Sequence, residues 1–126
     1  MAPTVFIVDD SRTVRASVEY TLKKAGYQVE SASDGSEGME VLKKLGQKGQ
    51  KPDMIITDIN MPKVNGIEFL KKVKDEKDFK FIPVLVLTTE SEPGMKEQGK
   101  KAGAAGWLVK PFEPEQLVNV VKKFVR

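Results

Sequence analysis

A chain of 126 residues is one domain's worth of sequence and can bury a single contiguous core, but not two. Its 40% hydrophobic and 31% charged residues are those of an ordinary globular chain, and the lack of cysteine and histidine excludes disulfides, thiolate chemistry, cysteine-bound zinc and a phosphohistidine of its own. The net charge of +3, from 21 basic and 18 acidic residues dispersed along the chain, reads as solvated helix faces rather than a nucleic-acid footprint.

The run Thr4–Val8 is short, rich in β-branched residues and apolar on both faces, which predicts a strand covered on each side. From residue 11 to 26, Val14, Val18, Leu22 and Ala25 recur at helical spacing, and Gly26 supplies the stop. Gln28–Ala32 predicts a second strand. Asp34 then caps a helix that carries Met39, Val41, Leu42 and Leu45 and ends near Gly46, followed by a polar loop to Pro52. Residues 54–57 lead into Asp58 as the third strand, and a helix over 67–73 follows Gly66. Val84–Thr88 is the fourth strand, with a weakly amphipathic helix over 92–102 after it. Residues 107–109 form the fifth strand, and residues 114–125 the last helix, with Pro114 in its first turn.

Strands alternating with helices in this way predict an α/β fold, a doubly wound three-layer sandwich around a parallel sheet, with no linker or second domain. No apolar run approaches the roughly 20 residues that span a bilayer, and residues 1–10 lack the pattern of a secretory signal, so cytoplasmic residence without membrane contact is expected.

In such a sheet, ligands sit at the carboxyl ends of the strands. Asp9 and Asp10 follow the first strand, Asp58 ends the third, Thr88 ends the fourth and Lys110 follows the fifth. Converging carboxylates repel one another and call for a cation, and oxygen-only ligands with room for water point to Mg²⁺. An Asp-Asp pair by itself also reads as a helix N-cap, and Asp10 and Ser11 suit that role; the combination with Asp58 favours metal binding. Lys110, between an apolar strand and Pro111, needs an anionic partner when desolvated, and Asp58 is the natural one. Thr88 in isolation is an unremarked strand residue.

The runs FIVDDS at 6–11, ITDINMP at 56–62 with Gly66, LTTE at 87–90 and AGAAGWLVKPF at 102–112 resemble the receiver domains of bacterial response regulators, in matching order and spacing. The likeness covers effectively the whole chain, residues 1–126 as one receiver domain, and is nearest to single-domain chemotaxis regulators of the CheY type. It implies a flavodoxin-like (βα)5 sheet with strand order 2-1-3-4-5, and a phosphoacceptor role for Asp58 with a sensor histidine kinase as donor. It further implies Mg²⁺ held by Asp9, Asp10, Asp58 and the Asn60 backbone carbonyl. Lys110 would contact the phosphoryl group and Thr88 would hydrogen-bond to it. Lys110-Pro111 would be a cis peptide that aims the lysine inward. Trp107 stands where the family carries a switch aromatic, although tryptophan is bulkier than the tyrosine or phenylalanine found there, and half-burial against the last helix is the other reading. Asn60 and Glu90 stand at positions that tune hydrolysis of the acyl phosphate.

The chain ends after the last helix, so output through protein contact is expected, with a flagellar motor switch component as the kind of partner the resemblance implies. In that helix Leu117, Val120, Val121 and Phe124 form the expected inward stripe. Val118 and Val125 widen it, either toward the core or toward a partner on the fourth helix, fifth strand and fifth helix. A phosphorelay shuttle or a phosphate sink fits the same residues. An aspartyl-phosphate phosphatase is the chemical rival, but its nucleophile ends the first strand with a second Asp two residues on, a spacing that Asp9, Asp10 and Ser11 lack. A flavin carrier is the rival of like fold, but the Asp9-Asp10 pair would repel its phosphate.

Overall fold

The computed structural model describes residues 2–59, 61, 65–89 and 93–125. Apolar runs and capped helices alternate as β1 (Thr4–Val8), α1 (Arg12–Lys24), β2 (Gln28–Ala32), α2 (Gly35–Gln47), β3 (Met54–Asp58), α3 (Gly66–Asp75), β4 (Val84–Thr88), α4 (Pro93–Ala102), β5 (Gly106–Val109) and α5 (Pro114–Phe124). All strand pairs are parallel, in the order β2-β1-β3-β4-β5. This is the expected doubly wound, flavodoxin-like sheet. The chain runs from β1 outward to β2 and then crosses back over β1 to β3, so its direction reverses between β1 and β3. That reversal opens a crevice at the carboxyl ends of these two strands.

Both faces of the three central strands are covered, which is why β1, β3 and β4 are mainly apolar runs, whereas the edge strand β2 keeps Gln28 and Glu30 exposed. Val5, Ile7, Ile56, Leu85 and Leu87 pack with Val18 and Leu22 of α1 and Leu117 and Val121 of α5. Phe6, Val8, Ile55 and Val84 pack on the other face with Leu42 of α2 and Phe69, Leu70 and Val73 of α3. A smaller cluster of Ile59, Ile67 and Val86 lies toward β5, with Trp107 against it. No helix among the described residues is long and apolar enough to cross a membrane.

Helix starts follow side-chain capping. Ser11 accepts a hydrogen bond from the Val14 amide at 3.2 Å and Asp34 one from the Glu37 amide at 2.8 Å. Asn65, which the sequence reading passed over, accepts from the Glu68 amide at 2.9 Å and starts α3 one residue earlier than expected. Helix α1 ends on Ala25, and Gly26 takes a φ of 100°, a left-handed conformation that suits glycine.

The inward stripe of α5 differs from the expected one. Leu117 and Val121 are buried, but Phe124 is 42% exposed and Val125 is 5% exposed. Val125 has left the helix and is extended (φ −130°, ψ 121°), so helical spacing no longer sets its direction and it turns into the core. Its carbonyl accepts a hydrogen bond from the Tyr27 hydroxyl at 3.2 Å. Val118 stays half-buried.

Candidate functional site

Parallel strands all end on one edge, so residues far apart in sequence meet there. Asp9 follows β1 and is fully buried; Asp58 closes β3 and is 7% exposed; Thr88 closes β4 and is fully buried. Asp10 beside them is exposed. One carboxylate oxygen from each of Asp9, Asp10 and Asp58 lies within 4.8 Å of the others. Opposite them, the Lys110 Nζ stands 3.0 Å from the Asp9 Oδ2 and 3.6 Å from the Asp58 Oδ2.

Asp9 and Asp58 are each held by local backbone. The Asp9 Oδ1 accepts from the Ser11 amide at 2.8 Å, which leaves Oδ2 toward the lysine. Arg15, on the first turn of α1, donates from Nη1 to the Asp9 carbonyl at 2.6 Å and ties the helix to the strand end. The Asp58 Oδ1 accepts from the Ile59 amide at 2.8 Å, and the Thr57 hydroxyl donates to the Asp58 carbonyl at 2.9 Å. Gly66 lets α3 start against this turn. Its amide donates to the Ile59 carbonyl at 2.9 Å, and a Cβ there would overlap the Asp58 carbonyl oxygen.

Among the described residues, three carboxylates with one ammonium leave an excess of negative charge in a partly buried crevice. Like charges this close cost stability unless a cation offsets them. The donors are all oxygens, which suits a hard ion, and ligands across an octahedral Mg²⁺ stand about 4.2 Å apart. A spread of 4.8 Å fits such an ion with water in part of its shell, so the residues present match the group that the sequence implied.

Residues 5–122 match the response regulator receiver domain family. The chain is a member of that family. The receiver is 37% identical over 113 residues to the chemotaxis protein CheY1 of Helicobacter pylori, covering 90% of this chain and 89% of that protein. It superposes on the structure of chemotaxis protein CheY4 of Vibrio cholerae with a TM-score of 0.88 at 46% identity, covering 99% of this chain and all of that one. It is also 36% identical to the alkaline phosphatase synthesis transcriptional regulatory protein PhoP of Bacillus subtilis, where it spans 50% of that protein's length.

The receiver brings together Asp9, Asp10, Asp58 and Lys110, as the sequence led us to expect, with Thr88 on the adjacent strand end. The lysine's nearer partner is Asp9, not Asp58. Asp9 is the more deeply buried anion, and its Oδ2 is the oxygen that takes the lysine. The Lys110–Pro111 peptide is cis. Trp107 is half-buried beside the Ile59, Ile67 and Val86 cluster. Asn60 and Glu90 lie outside the described residues. Arg15 was not legible beforehand, because an arginine on a helix's first turn has no sequence signal that separates it from a solvated one.

Proposed function

We propose that this receiver takes a phosphoryl group from a sensor histidine kinase onto Asp58 and thereby changes a protein-binding surface in chemotaxis or motility. The observation that carries this reading is the Asp58 carboxylate, set 3.6 Å from the Lys110 ammonium and within 4.8 Å of two further carboxylates. A carboxylate has no proton to lose, so transfer needs alignment and charge compensation rather than a general base. An Asp58 oxygen attacks phosphorus in line; the phosphorus–nitrogen bond to the donor histidine breaks, and its electron pair returns to the imidazole, which takes up a proton. Lys110 offsets charge on the transferred oxygens, and the Thr88 hydroxyl hydrogen-bonds to them after transfer. Asp9, Asp10, Asp58 and the Asn60 backbone carbonyl would hold Mg²⁺, which would supply further charge neutralisation.

Residues 1–126 act as one cytoplasmic receiver domain, a signalling protein rather than an enzyme with a separate substrate. Output runs through α4, β5 and α5, with Trp107 as the responsive aromatic and Asn60 and Glu90 setting the lifetime of the acyl phosphate. The likeness to two chemotaxis proteins over nearly their whole lengths supports the pathway, with a motor switch component as partner. Intact-mass measurement after treatment with acetyl phosphate and Mg²⁺ tests the reading. One added phosphoryl group on the native chain, absent with EDTA and in Asp58→Asn, is expected. No added mass on the native chain would sink it.

A further inference from the structure

Helix α4, with the sequence PGMKEQGKKA, is an unpromising helix. Among its described side positions only Gly99 is buried and Ala102 half-buried. A glycine within a helix weakens it about fivefold relative to alanine. α4 carries two, Gly94 and Gly99, and they differ in their surroundings. A Cβ at Gly94 would meet nothing within 4 Å, whereas one at Gly99 would lie 2.8 Å from the Trp107 Cζ3 and 3.1 Å from its Cε3. Real Cβ atoms essentially never come as close as 2.8 Å, and 3.1 Å is tight, so the six-membered ring of the indole rests where a side chain at 99 would be.

We infer that Gly99 is the seat of Trp107: its bare backbone forms a notch that holds the indole and joins the position of α4 to the side chain of the edge strand. The other walls of the seat are fixed. Ile67 of α3 lies 3.8 Å from the same Cβ position, and Val86, the register partner of Trp107, is fully buried. On another side a groove of about 290 Å³, lined by Lys96, Lys100, Ala104, Ala105 and Gly106, opens to solvent. Among the described residues, this groove is the side on which the indole can yield. Were it to leave the seat, a hole would open beside the Gly99 backbone, and α4 would have to settle to close it. Gly99 is thus a positioning residue for the aromatic. The seat stands on geometry alone; only its use as a relay, with phosphorylation as the event that moves the indole, rests on the function proposed above.

Trp107 is the one tryptophan in the chain, so its emission reports the seat directly. Gly99→Ala is expected to push the indole into the open groove, with a red-shifted emission and greater quenching by acrylamide. Its folding constant is expected to fall about fivefold in the native background, through overpacking, and to rise about fivefold in Trp107→Ala, where helix propensity acts alone. Gly94→Ala should leave the emission unchanged. An unaltered emission in Gly99→Ala, or the same effect of that change on stability in both backgrounds, overturns the seat. On adding acetyl phosphate and Mg²⁺, the native emission should shift and that of Gly99→Ala should shift less; equal shifts overturn the relay. Failure of Asp58 to take the phosphoryl group would sink the function proposed above and leave the stability cycle, and the seat, standing.

Discussion

Strands β3 and β4 are buried at every residue, whereas β5 has no residue that is fully buried and leaves Val109 40% exposed. Under the proposed function the two regions carry different duties. Asp58 and Thr88 project from the ends of the buried strands, and Asp9 from the equally enclosed end of β1, so the charged groups are held by the stiffest part of the molecule. Precise placement of reacting groups needs such support. Trp107 and α4 lie at the edge, where few buried contacts oppose a change of position. Regions that move in switching come from the low-stability end of a structure.

The largest expected effect separates the two regions by stability. Leu85→Ala, in the centre of β4, should cost about 3 kcal/mol by urea denaturation, whereas Val109→Ala at the edge should fall within about 0.5 kcal/mol. Comparable costs would erase the contrast.

Next comes the charge held by the centre. Mg²⁺ at about 100 times its dissociation constant should stabilise the native chain by about 2.7 kcal/mol. Asp58→Asn should lose most of that gain and, without the ion, be more stable than the native chain by about 1 kcal/mol, since one repelling anion is gone. Thermal unfolding with Mg²⁺ and with EDTA checks both, and equal Mg²⁺ gains in the two chains would show that the cluster is not the metal site.

The smallest effect lies away from both regions, where α5 is tied to the sheet. Tyr27→Phe should cost about 1 kcal/mol by removing the hydrogen bond to the Val125 carbonyl. Burial raises the Tyr27 pKa above its ordinary value of 10.0, because the fold favours the neutral phenol. This contribution is complete below about pH 10 and is lost as pH rises through the folded value. Native protein should then lose more stability than Tyr27→Phe on alkaline titration, with phosphoryl uptake at neutral pH equal in both.

Much of this contrast could be read before any coordinates. The bounds of β1, β2 and β4 match their expected ranges; in β1 and β4 apolar, β-branched runs between polar turns leave little freedom of placement. Asp9, Asp10, Asp58 and Lys110 were legible as a group because topology alone brings parallel strand ends together. What escaped depends on approach between elements. The preference of Lys110 for Asp9 over Asp58 is the difference between 3.0 and 3.6 Å at the tips of side chains, which no strand pattern sets. The inward turn of Val125 comes from the helix ending one residue sooner than its pattern. The meeting of Gly99 with Trp107 has no periodicity to betray it.

Locating the phosphoryl group by peptide mapping, after acetyl phosphate and Mg²⁺, tests the central claim most directly. It is expected on Asp58 alone, formed more slowly in Lys110→Ala and not at all with EDTA. A phosphoryl group found at another residue, or equal labelling of Asp58→Asn, would contradict it.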